Sequence, residues 1–112
     1  MVRFSEWTRT IMSDAIFYWG YDAQLFMVCE EMGEVLQGIS KFRRNKDTEK
    51  EIETVKHLKN EIVDLELMLD QLRLMLDFPD HEFDKLYSEK MLNLEHKLDE
   101  HQKRLLRDED DK

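Results

Sequence analysis

Five acidic residues in two short runs are the part of this sequence best suited to chemistry: Glu30, Glu31 and Glu34 within "CEEMGEVLQGISKFRR", and Glu61 and Asp64 within "NEIVDLELML". Wrapped on a helix, Glu61 falls inside an apolar arc, between Leu65 and Met68, with Asp64 beside it at the arc's edge. Glu31 has Gln24, Met27, Val35, Gly38 and Phe42 as angular neighbours, and Glu34 lies one turn along. An isolated buried carboxylate costs several kcal/mol, so each such group must be neutralised, paired or bound to a cation. For one glutamate alone, an exposed charge or a lysine partner such as Lys41 is the better explanation. Two pairs on two apolar arcs favour a cation. Glu31 with Glu34 and Glu61 with Asp64 would face one another if their helices pack antiparallel, and all-oxygen ligation suits Mg²⁺ or Mn²⁺. There is no Cys/His cluster for zinc, and no Glu-x-x-His for a di-iron site.

The elements that must position these acids are helices. Three glycines, one proline and abundant Leu, Met, Glu and Lys predict an all-α chain, a four-helix antiparallel bundle. Ser5 can cap a first helix that runs to about Tyr18 and stops near Gly20; Asp22 can cap a second, from about Ala23 to Arg44. After the loop "NKDT", Thr48 and Glu51 form a T-x-x-E capping box for a third helix reaching about Leu76, broken by "DFPD" at Pro79. A fourth runs from about Asp80 to Leu106. Residues 1–106 read as one domain, and 107–112 as an acidic, frayed tail. On helix three, Leu58, Leu65, Met68, Leu69, Leu72, Met75 and Leu76 form the core-facing arc, with Lys59, Glu66, Asp70, Arg73 and Asp77 opposite. A second stripe, Val63, Leu67 and Leu74, lies off that arc and needs cover, which predicts a homo-oligomer, a homodimer or homotetramer.

The net charge of −9 disfavours nucleic acid or an anionic membrane as partner, and no apolar run is long enough to span a bilayer. A single cysteine, Cys29, and the lack of an apolar leader suggest a cytoplasmic protein. Around the acids, Lys41 lies on the same side of its helix as Glu34 and with Arg44 could reach phosphate oxygens; a salt bridge from Lys41 to Glu30 or Glu34 explains it equally well. Lys90 is a weaker phosphate candidate. Trp19, Tyr21 and Phe17 cluster before helix two, where Trp19 could stack on a base and Gln24 could hydrogen-bond its edge or its sugar. Gly33 and Gly38 read as sites of close helix approach.

"EEMGE" followed by "EIVD" resembles the E-E-x-x-E and E-x-x-D signature of the MazG-like all-α nucleoside triphosphate pyrophosphohydrolases. "AQLFMVCEEMGEVLQGISKFRR" looks like that superfamily's first metal helix and "HLKNEIVDLELMLDQLRLML" like its second, a similarity covering about Tyr21 to Leu76. The resemblance implies a Mg²⁺-dependent hydrolase that cleaves a nucleoside triphosphate between its α and β phosphates. By position, Glu31, Glu34, Glu61 and Asp64 would be the metal ligands and Glu30 an accessory catalytic acid orienting the attacking water. A phosphoribosyl-ATP pyrophosphohydrolase-like enzyme would differ only in substrate. A non-catalytic helical interaction protein, using the apolar stripe of helix three and the long fourth helix to bind a partner, is the rival from outside the family; sustained a/d heptads with flanking e/g charges would favour it, and they are not clean here.

Overall fold

A computed structural model of the chain describes residues 5–110. Among them are four helices, α1 (Glu6–Trp19), α2 (Tyr21–Asn45), α3 (Glu51–Met75) and α4 (Asp80–Asp110), and no strand, so the protein is all-α. It divides into two compact units, Met1–Asp77 and Phe78–Lys112.

Ser5 caps α1 as its position predicts, its Oγ accepting from the Thr8 N–H at 3.3 Å. Gly20 then takes φ +96°, a conformation that costs a residue with a Cβ, and donates its N–H to Ile16 O at 3.0 Å. This one residue ends α1 and opens α2, so α2 starts at Tyr21 and Asp22 is not its cap. Asp22 instead lies in the first turn, where its charge still suits the positive end of the helix dipole.

The turn between α2 and α3 is closed by side chains. Thr48 Oγ1 donates to Asn45 O at 2.6 Å and accepts from the Lys50 N–H at 3.2 Å, while Asn45 Nδ2 donates to Thr54 Oγ1 at 2.9 Å. The Thr48 hydroxyl thus serves the turn, and the cap position falls two residues later, at Lys50, with no side-chain cap bond; α3 begins at Glu51. Glu51 reaches back with Oε2 to the N–H of Asp47, whose φ is +64°. At the other end of α3, Asp77 takes φ +51°, and α4 starts directly after Pro79. The last helix passes the expected Leu106 boundary and continues to Asp110, so residues 107–110 of the predicted frayed tail are helical; 111–112 lie outside the described residues.

In the first unit α2 and α3 form an antiparallel hairpin, and α1 packs against both. Each helix gives one buried apolar side chain, Met12, Val28 and Met68. Gly38 permits the close approach expected of it, since a Cβ there would stand 2.7 Å from Leu58 Cδ1. Gly33 does not: nothing lies within 4 Å of its Cβ position. The core-facing arc of α3 is buried or half-buried except at Leu76, which lies beyond the helix end and is exposed. Opposite it, Lys59, Glu66 and Asp77 are exposed, but Asp70 and Arg73 are buried, 3.8 Å apart. Together with Met68 and Gln71 they close the C-terminal third of α3 on several sides, where a two-sided wheel leaves one side to solvent.

Candidate metal centre

The antiparallel hairpin sets position 31 of α2 against positions 61 and 64 of α3. Three residues of helix rise place the two α3 acids on adjoining turns. Glu31, Glu61 and Asp64 each bring one carboxylate oxygen to a point where all three lie within 4.8 Å of one another. Glu31 and Glu61 are half-buried and Asp64 is exposed, so the cluster is open on the Asp64 side.

Negative charge this concentrated is visible in the acidity of Glu31. Its carboxyl is pushed above the usual range, first by loss of water around it and then by the charges of Asp64, Glu61, Glu34 and Glu30. A divalent cation would remove that strain. Carboxylate oxygens suit a hard ion such as Mg²⁺, and three of them leave coordination positions for water and phosphate oxygens. The residues present therefore fit the expected ion.

The fourth expected ligand, Glu34, is exposed and its oxygens are not among the converging set; its charge reaches Glu31 without joining the cluster. Glu30 is likewise exposed and outside the triad. His57, not singled out from the sequence, stands with Nε2 3.3 Å from Glu61 Oε1. The Glu61 side chain is only 12% exposed, and this contact engages one of its two oxygens. The i,i+4 spacing of His57 and Glu61 was the available signal.

Lys41 is exposed and lines an open groove of about 270 Å³ together with Gly38, Glu53, Thr54 and His57. His57 joins this groove to Glu61, while Lys41 lies ten residues beyond Glu31, roughly 15 Å of helix rise and as far along α2 as the corner after Trp19 on the other side. Arg44 is exposed one turn further toward the end of α2. No family model, no curated protein and no solved structure matches this chain.

The expected base-binding residues are not gathered here. Trp19 is 70% exposed at the end of α1, and Glu31 lies roughly 15 Å further along α2 from the corner that follows it. Gln24 is buried, with 3% of its surface exposed, so its amide is not presented to a ligand. Lys90 is exposed on α4, in the second unit.

Proposed function

We propose that the protein is a Mg²⁺-dependent nucleoside triphosphate pyrophosphohydrolase that acts as a homo-oligomer in the cytoplasm, with Mn²⁺ able to replace Mg²⁺. The observation that carries this reading is the convergence of Glu31, Glu61 and Asp64 across the hairpin; the resemblance of "EEMGE" and "EIVD" to the MazG-like signature supports it. The bound cation would supply charge neutralisation at the phosphates. Glu31, Glu61 and Asp64 hold it, while Glu34 adds negative potential from its rim. Lys41, with Arg44 beyond it, draws the triphosphate into the groove beside His57. Water attacks the α phosphorus, the bond to the α–β bridging oxygen breaks, and the nucleoside monophosphate and pyrophosphate leave; Glu30 orients that water and takes its proton. The work asked of the side chains is placement and charge compensation, which a rigid hairpin provides.

Assembly into a homodimer or homotetramer is supported by the outer stripe of α3. Val63 is 64% and Leu67 51% exposed on a helix whose opposite side already faces α2, while Leu74, the third residue of the expected stripe, is half-buried.

The test is incubation with a panel of ribo- and deoxyribonucleoside triphosphates and Mg²⁺, with the products resolved chromatographically. Pyrophosphate and monophosphate are expected; orthophosphate as the sole primary product would contradict the proposed bond cleavage. Glu61→Gln should lower turnover at least about 100-fold with helical content unchanged.

A further inference from the structure

No described residue of α4 is buried, although the helix runs for 31 residues. A helix of this composition gains most of its stability in water from cover over an apolar face. That face is Tyr87, Met91, Leu94, Leu98, His101 and Leu105, spaced alternately four and three residues apart, a heptad seam that is clean over this segment although not along the whole chain. The five residues other than His101 are each 48–58% exposed. Phe83 stacks on Tyr87 at 5.9 Å and Phe78 meets Phe83 at 5.8 Å in a tilted arrangement, which closes the N-terminal end of the seam with aromatic rings.

We propose that α4 pairs with α4 of a second copy of this chain as a parallel, in-register two-stranded coiled coil. The charges beside the seam select both the partner and the direction. One flank carries Lys90, Lys97 and Arg104, each seven residues apart; the other carries Glu95, Gln102 and Glu109 at the same interval. In a parallel pair each flank of one helix faces the opposite flank of the other. Lys90 of one copy then meets Glu95 of the other, Lys97 meets Gln102 and Arg104 meets Glu109, all twice over by symmetry. An antiparallel pair sets like flank against like: Lys and Arg against Lys and Arg, Glu against Glu, which repels. The helix is complementary to itself in one direction only. His101 in the seam costs some stability and in return fixes register, the role polar seam residues commonly serve.

The experiment uses the full chain in a Cys29→Ser background, with one new thiol per variant in a glutathione redox buffer. Leu105→Cys lies in the seam and Lys103→Cys on the outer side. Leu105→Cys should form an intermolecular disulfide about tenfold more readily than Lys103→Cys, because only the parallel in-register pair sets position 105 against itself at high effective concentration. Equal yields, or none, overturn the proposal. So does preferential linkage of Leu105→Cys to Tyr87→Cys in a mixture, which is the antiparallel outcome. Lys90→Glu with Arg104→Glu should abolish the excess linkage of Leu105→Cys, and adding Glu95→Lys with Glu109→Lys should restore it. These are exposed positions, so loss and rescue are read without unfolding the chain. Failure of the fourfold exchange to restore linkage overturns the assigned charge pairing.

Discussion

Glu31 is easier to protonate in the folded chain than in an unfolded one, because partial burial and four acidic neighbours disfavour its charge. A raised carboxyl pKa means that the fold gains at low pH and loses that contribution as pH rises through the elevated value. At neutral pH without a cation, the ionised group therefore works against the fold. Glu31→Gln should raise the metal-free melting temperature at pH 7, and its advantage over the native chain should shrink as pH falls below the ordinary carboxylate range. The native chain should in turn be stabilised by Mg²⁺, by about 2.7 kcal/mol at a hundredfold excess over its Kd, with the variant responding far less. A Glu31→Gln chain that melts lower without metal would sink this electrostatic account. Glu31, Glu61 and Asp64 were legible because carboxylates on an apolar arc break the expected pattern; Glu34, one turn along the same side, was read with them and lies outside the cluster. His57 was not, since its link to Glu61 looks like any i,i+4 pair on a charged helix. Gln71 was not either: it is buried, donates to Met68 Sδ at 3.8 Å, and its Oε1 has no hydrogen-bond partner among the described residues.

Glycine substitutions probe the helices separately. Gly20→Ala should cost about 1 kcal/mol, because alanine resists φ +96° at the corner between α1 and α2. Gly33→Ala should add up to about 1 kcal/mol of helix propensity, with open space around its Cβ. Gly38→Ala should show no such gain, since its new methyl displaces Leu58 Cδ1 from 2.7 Å. Urea unfolding of the three variants checks the order. The existence of all four helices was readable from residue type and from the breaks at Gly20 and Pro79. Their starts were less so, because Asp22 and Thr48 are good caps in isolation but a positive-φ glycine and a closed turn decided the boundaries. Asp70 and Arg73 were read as solvated because a helical wheel shows which residues share a side, not how many neighbours the helix has. The heptad seam of α4 emerges only when that helix is taken apart from the rest of the chain.

Exposed apolar surface on α3 predicts association at the scale of the whole molecule. Replacing Val63 with Lys and Leu67 with Glu should lower the mass found by sedimentation while leaving helical content intact; an unchanged mass would remove this stripe from the interface. The α2–α3 turn occupies only residues 46–50, and the triad is drawn entirely from the two helices it joins. Contacts so near in sequence close early in folding. Pulse-labelled hydrogen exchange during refolding should therefore protect 21–45 and 51–75 together before 80–110. The three carboxylates therefore come together before the last helix is protected, and a divalent cation present during refolding would bias the chain toward the hairpin.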